Sequence, residues 1–133
     1  MYTRTQQRGL SPVQPGGHAN YTFAGYDWDT VDGWKNPGEQ AYWMINVARP
    51  GTYEVTVAYG ASQAEAGGVF RMAARGTELK ATVAPTLTRD VFRKRSVGVL
   101  KLTAGLQRLT VEVVSAPGQE LMALNRIWLK RIE

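Results

Sequence analysis

The stretch Arg49-Pro50-Gly51-Thr52-Tyr53-Glu54-Val55-Thr56-Val57-Ala58-Tyr59-Gly60 decides the fold class. After a Pro-Gly corner, Tyr53, Val55, Val57 and Tyr59 fall on one side of an extended backbone. Thr52, Glu54, Thr56 and Ala58 fall on the other. A period of two with β-branched and aromatic residues is the mark of a half-buried strand. Upstream, Gln40–Ala48 puts Trp43, Ile45 and Val47 on one face. The short Arg49-Pro50-Gly51 turn between these runs predicts a hairpin.

Working outward, the same grammar repeats. Val69–Arg75 and Glu78–Ala84 flank an Arg75-Gly76-Thr77 turn. Val91–Leu102 is long, with Phe92, Val97, Val99 and Leu102 as expected buried positions. Those four do not keep one parity, which predicts a bulge near Ser96–Gly98 or Leu100. Leu109, Val111 and Val113 share a face in Leu106–Ser115, and Leu121–Ile132 closes the chain. Ala61–Ala66 can form a helical turn that Gly67-Gly68 ends, and no amphipathic helix is visible. Seven or eight short strands separated by turn residues predict an all-β antiparallel sandwich. Residues 1–18, rich in Gln, Gly, Pro and Arg, read as a flexible lead-in or arm, and 19–133 as the sandwich domain.

Composition narrows the chemistry. At 133 residues the chain suits one domain, and 44% apolar with 20% charged residues excludes disorder and low-complexity fibre. The absence of Cys removes disulfide scaffolds, thiolate metal sites and Cys nucleophiles. No apolar run reaches the ~20 residues of a membrane span. The polar start after Met1 has no signal-peptide pattern. The net charge of +5, from 16 basic and 11 acidic side chains, permits attraction to anionic groups.

Few residues could carry catalysis. His18 is the single histidine, too little for a Ser-His-Asp relay or a zinc site without Cys. Asp27, Asp29 and Asp32 are weak calcium candidates, because the segment lacks the distal Glu of a helix-loop-helix calcium loop. As a glycosidase acid and nucleophile pair they would need a cleft that so short a chain does not suggest. The expectation is therefore a non-enzyme without a cofactor.

Aromatic residues give the stronger signal. Tyr21, Phe23, Tyr26, Trp28, Trp34, Tyr42 and Trp43 crowd into residues 21–43. Trp43 alternates with Ile45 and is assigned inward. Trp128, between Ile127 and Leu129, is assigned to the framework. Trp34 lies in turn-rich sequence between Gly33 and Lys35-Asn36-Pro37-Gly38. It either stacks on a flat pyranose face or folds back to plug the end of the sandwich. The basic run Arg89-Asp90-Val91-Phe92-Arg93-Lys94-Arg95 fits an edge strand guarded by charge, with a groove for an anionic polymer as the sharper alternative. Nucleic acid is disfavoured, since no recognition helix is visible and the aromatic and basic clusters are not interleaved.

Asp32-Gly33-Trp34-Lys35-Asn36-Pro37-Gly38-Glu39, then Tyr42-Trp43, then Arg49-Pro50-Gly51-Thr52-Tyr53-Glu54-Val55, resembles the galactose-binding-like jelly rolls. The relatives it is similar to are family 6 and family 35 carbohydrate-binding modules and the accessory domains of fucosidases and sulfatases. Phe92 in a "DxF" context, Leu102-Thr103-Ala104-Gly105 and Leu121-Met122-Ala123-Leu124 extend the likeness over about residues 19–132. The resemblance implies a jelly roll that serves as a non-catalytic binding or accessory module of an exported carbohydrate-active enzyme, extracellular or periplasmic. It implies a glycan or a neighbouring catalytic domain as partner. Carried over, the family's loop aromatic looks like Trp34, its second stacking aromatic falls on Arg89, and its ligand-binding Asn falls on Ala123. Arg89 suits a charged ligand, an acidic or sulfated glycan. Trp34, Trp28, Tyr26, Arg89 and Asn36 are the candidate ligand-binding residues. The alternative is a structural or interaction domain whose aromatic loops pack on a catalytic domain or on a second copy.

Overall fold

A computed structural model describes residues 20–22, 30–32, 34–88, 91–118 and 120–133. Nine strands follow in chain order: β1 (Asn20–Thr22), β2 (Thr30–Asp32), β3 (Gln40–Val47), β4 (Gly51–Gly60), β5 (Val69–Ala74), β6 (Thr77–Thr82), β7 (Arg93–Leu102), β8 (Gly105–Ser115) and β9 (Ala123–Arg131). They form a five-stranded sheet in the order β1-β2-β9-β4-β7 and a four-stranded sheet in the order β3-β8-β5-β6. Every pairing is antiparallel, and no helix occurs among the described residues. This is the expected all-β sandwich of jelly-roll type. The lead-in assigned to residues 1–18 lies outside the described residues.

Alternation builds the core. Tyr53, Val55, Val57 and Tyr59 of β4 are buried, and across the sandwich so are Trp43, Ile45 and Val47 of β3 and Leu109, Val111 and Val113 of β8. Ile127 and Leu124 of β9, Phe70 and Met72 of β5, and Leu100 and Leu102 of β7 complete it. Each fully buried aliphatic or aromatic side chain contributes about 1.5–3 kcal/mol relative to exposure.

The predicted hairpin between Gln40–Ala48 and Gly51–Gly60 does not form. β3 pairs with β8, whereas β4 lies between β7 and β9 in the other sheet. Arg49-Pro50 therefore crosses from one layer to the other, and the Tyr53 hydroxyl donates to the Arg49 carbonyl at 2.6 Å to tie the crossing down. A short turn suits two strands that pair edge to edge and two that face each other across a core. Alternation alone does not distinguish the two.

The expected bulge is present. The β4–β7 register shifts between Val55, opposite Gly98, and Thr56, opposite Ser96, so Val97 is the extra residue. The bulge reverses parity, which corrects one expectation: Val99 is 48% exposed rather than buried. Gly98 adopts φ +137°, a value that side chains other than glycine's seldom tolerate. β7 is the edge of its sheet, and β6, the edge of the other, lies beside it: the Lys101 amide donates to Thr77 Oγ1 at 3.2 Å. The charged residues Arg93, Lys94 and Arg95 thus lie on an edge strand, as the sequence suggested.

Candidate functional site

Strand polarity gathers four connections at one end of the sandwich. The registers Gln40↔Glu112, Gly60↔Ala123, Val69↔Ser115, Val69↔Thr82 and Tyr59↔Arg93 bring the described residues of four connections, 34–39, 61–68, 83–88 with 91–92, and 116–118 with 120–122, to the same end. Of the candidate residues, Trp34 and Asn36 lie in the first of them and Ala123 just beyond the fourth.

These connections are bound to one another. The Gly67 amide donates to the Val83 carbonyl at 2.9 Å, and the Val83 amide to the Gly68 carbonyl at 2.7 Å. Thr86 joins the second and third segments through its amide to the Ala61 carbonyl, at 2.9 Å, and through Oγ1 accepting from the Ala61 amide, at 3.1 Å. A Cβ on Gly118 would lie 2.5 Å from the Ala64 carbonyl oxygen, so the fourth segment presses directly on the second. The end is a built surface rather than four independent loops.

Trp34 is a structural residue of this end, which corrects its assignment as a ligand-stacking ring. Its exposure is 0%, its indole N–H donates to the Met122 carbonyl at 2.9 Å, and its own carbonyl accepts from the Leu121 amide at 2.7 Å. Of the two alternatives posed by the sequence, the ring takes the second and plugs the sandwich. The turn that follows is held by Glu39, whose Oε1 accepts from the Lys35 and Asn36 amides, both at 2.8 Å. Gly38 makes the turn possible at φ +94°, and its amide donates to the Val113 carbonyl at 2.9 Å. Lys35 and Asn36 are consequently presented to solvent on a fixed backbone.

Leu87, 74% exposed, is also presented at this end. Ala123 is buried and offers no polar group. Two residues on, the β4–β9 register shifts between Ala58, opposite Arg126, and Tyr59, opposite Leu124. Asn125 is the extra residue, and it is half-buried. The sequence reading missed Asn125 because nothing local marks a bulge there. Trp28, Tyr26, Arg89, Asp27 and Asp29 lie outside the described residues, and of Asp32 only the backbone in β2 is described. Among the described residues no cluster of His, Cys, Asp or Glu could hold a metal ion.

Two other surfaces carry charge. On the outer face of the four-stranded sheet, Arg71 is bonded to Glu112 at 2.7 and 3.1 Å and reaches Glu78 at 3.3 Å. The hydrogen bond with Glu112, then its charge, pushes the Arg71 guanidinium above its ordinary value. On the outer face of the five-stranded sheet, Trp128 is half-buried beneath Lys94, whose Nζ stands 4.5 Å from the ring centroid. Trp128 therefore faces away from the core, whereas its neighbour Ile127 faces into it.

No family model matches this sequence, and no curated protein matches it. Solved structures do share its fold. A family 35 carbohydrate-binding module from Cellvibrio japonicus Abf62 superposes with a TM-score of 0.72 at 12% identity, over 93% of this chain and 90% of that one. The same score and identity relate it to a family 35 module in complex with a disaccharide containing glucuronic acid, over 93% and 89% of the two chains. The C-terminal family 6 module of LamC, a marine laminarinase from Zobellia galactanivorans, matches at TM-score 0.72 and 18% identity, over 91% and 94%. The chain has the galactose-binding-like jelly-roll fold of these modules.

Proposed function

We propose that this chain is a non-catalytic carbohydrate-binding or accessory module of an exported carbohydrate-active enzyme. The observation that carries the proposal is the fold: a jelly roll matched along 93% of the chain by a carbohydrate-binding module. The loop end is the ligand surface, with Asn36 and Lys35 on the Glu39-held turn. Arg89, Tyr26 and Trp28 are proposed as contacts on the strength of the sequence reading. Trp34 supports this surface from beneath and does not touch ligand.

The preferred ligand is a glycan with acidic or sulfated units. Arg89 stands in the sequence where the resemblance expects an aromatic, and Lys35 is an exposed cation on the Glu39-held turn. One fold neighbour was solved with a disaccharide containing glucuronic acid. Calorimetry of the chain against uronic acid oligosaccharides, sulfated oligosaccharides and neutral counterparts tests this. Arg89→Ala should weaken binding of the charged sugars by about tenfold, the size expected for loss of one charge-assisted hydrogen bond. No heat with any sugar would refute the module reading; preference for neutral sugars would refute the acidic specificity.

A second reading has its own support. Leu87 is exposed at the loop end, and Met44 and Leu106 are exposed on the outer face of the four-stranded sheet. Such apolar residues suit packing against a catalytic domain or a second copy of the chain. A solution mass that rises with concentration, together with silence against all sugars, would favour it.

A further inference from the structure

Among the described strands four lie at sheet edges: β1 and β7 in one sheet, β3 and β6 in the other. A sheet edge offers a row of backbone N–H and C=O groups to any strand that approaches, and proteins blunt such edges with charge, brevity, a bulge or a covering element. Three of these edges follow that rule. β1 is three residues long. β7 opens with Arg93, Lys94 and Arg95 and carries the bulge at Val97. β6 bears Glu78 and Lys80 and lies beside β7, whose Lys101 amide donates to Thr77.

β3 has none of these devices. It reads Gln-Ala-Tyr-Trp-Met-Ile-Asn-Val, eight residues with no charge, no proline and no glycine. Its register with β8 runs unbroken from Gln40↔Glu112 to Val47↔Gly105, so no bulge twists it away. Ala41, Trp43, Ile45 and Val47 are buried, while Met44 and Asn46 are exposed on the outer face. Leu106, opposite Asn46 in β8, is exposed too and continues the apolar outer surface beside this edge.

We propose that the β3 edge is a self-association surface, on which β3 of a second copy pairs antiparallel about a two-fold axis. The two four-stranded sheets then join into one. A second copy fits this edge for three reasons. Identical strands that meet edge to edge about a two-fold run antiparallel, as every strand pair in this fold does. Neither strand brings a charge, so no ion is desolvated and no like charges meet. Each strand is already held extended by β8 and loses little freedom on docking, whereas a peptide from another protein would have to be ordered first. With the axis at Ile45, Met44 lies opposite Asn46 of the partner subunit and Trp43 opposite Val47 of the partner subunit. That register matches inward residues with inward ones. It is complete within residues 43–47 and leaves Tyr42 in its stack with Arg108. The loop end lies beyond Gln40 and stays open, so the proposal rests on the second-copy reading and not on sugar binding.

Sedimentation equilibrium of the full chain from about 1 μM to about 1 mM tests the proposal, because so small a contact makes a weak dimer. A monomer–dimer equilibrium without larger species is expected, since pairing consumes the edge. Met44→Lys with Asn46→Lys sets like charges across the seam. It should weaken the dimer about tenfold or more and keep the parental melting temperature, since both side chains are exposed. Met44→Lys with Asn46→Glu sets opposite charges across the seam and should return the dimer to within about threefold of the parent. Leu87→Ser should leave dimerisation unchanged. Calorimetry with sugars should read the same for the parent and the double-lysine variant, which separates failure here from failure of the loop-end reading. A monomer at every concentration, parental dimerisation in the double-lysine variant, no recovery with the Lys/Glu combination, or a dimer abolished by Leu87→Ser would each overturn the proposal.

Discussion

Two tryptophans sit at opposite extremes of this molecule. Trp34 belongs to a turn-rich connection yet is sealed in the core, its N–H spent on the Met122 carbonyl. Trp128 belongs to a regular strand yet faces outward beneath two cations. Loop membership does not make an aromatic accessible, and strand membership does not bury one. What matters is whether another part of the chain supplies a pocket, and Leu121-Met122 supplies one for Trp34 alone.

The contrast breaks first at Trp34. Trp34→Ala should cost about 3–5 kcal/mol of unfolding free energy, as for other large-to-small core substitutions. Denaturant melts would measure it; a cost below about 1 kcal/mol would mean that the ring is not the plug described. The turn beside it comes next. Glu39→Ala leaves the Lys35 and Asn36 amides without their acceptor, and about 1–3 kcal/mol should be lost in the same melts. At the other extreme, Trp128→Ala should cost about 1 kcal/mol, the sum of partial burial and an exposed cation–π contact. If Trp128→Ala proved as damaging as Trp34→Ala, the outer face would be part of the core after all.

The sandwich was legible because its evidence is local. Residues two apart in β4 and β8 declare which side is inward, and the broken parity of Phe92, Val97, Val99 and Leu102 announced the bulge at Val97. Even Trp128 could have been placed, since inward Ile127 puts its neighbour on the opposite face. Strand partners were not legible. The β3–β4 hairpin failed because alternation fixes faces and not neighbours. The candidate site was readable only as a set of connections: Trp34 meets its acceptor 88 residues away, a relation that no short window contains. Asn125 was missed for a similar reason, as its bulge exists only in register with Ala58 and Tyr59.

The position of β9 bears on how the chain is made. This last strand lies between β2 and β4 in its sheet, so β4 has β7 alone to pair with until residues 123–131 arrive. Among the described strands, only β1–β2 and β5–β6 join sequence neighbours in one sheet. Such a topology closes slowly, because distant segments must meet before burial repays the loss of freedom. A ribosome would therefore carry a largely unfinished sheet until the final strand clears the exit tunnel, with the Tyr53–Tyr59 apolar edge in need of shelter throughout.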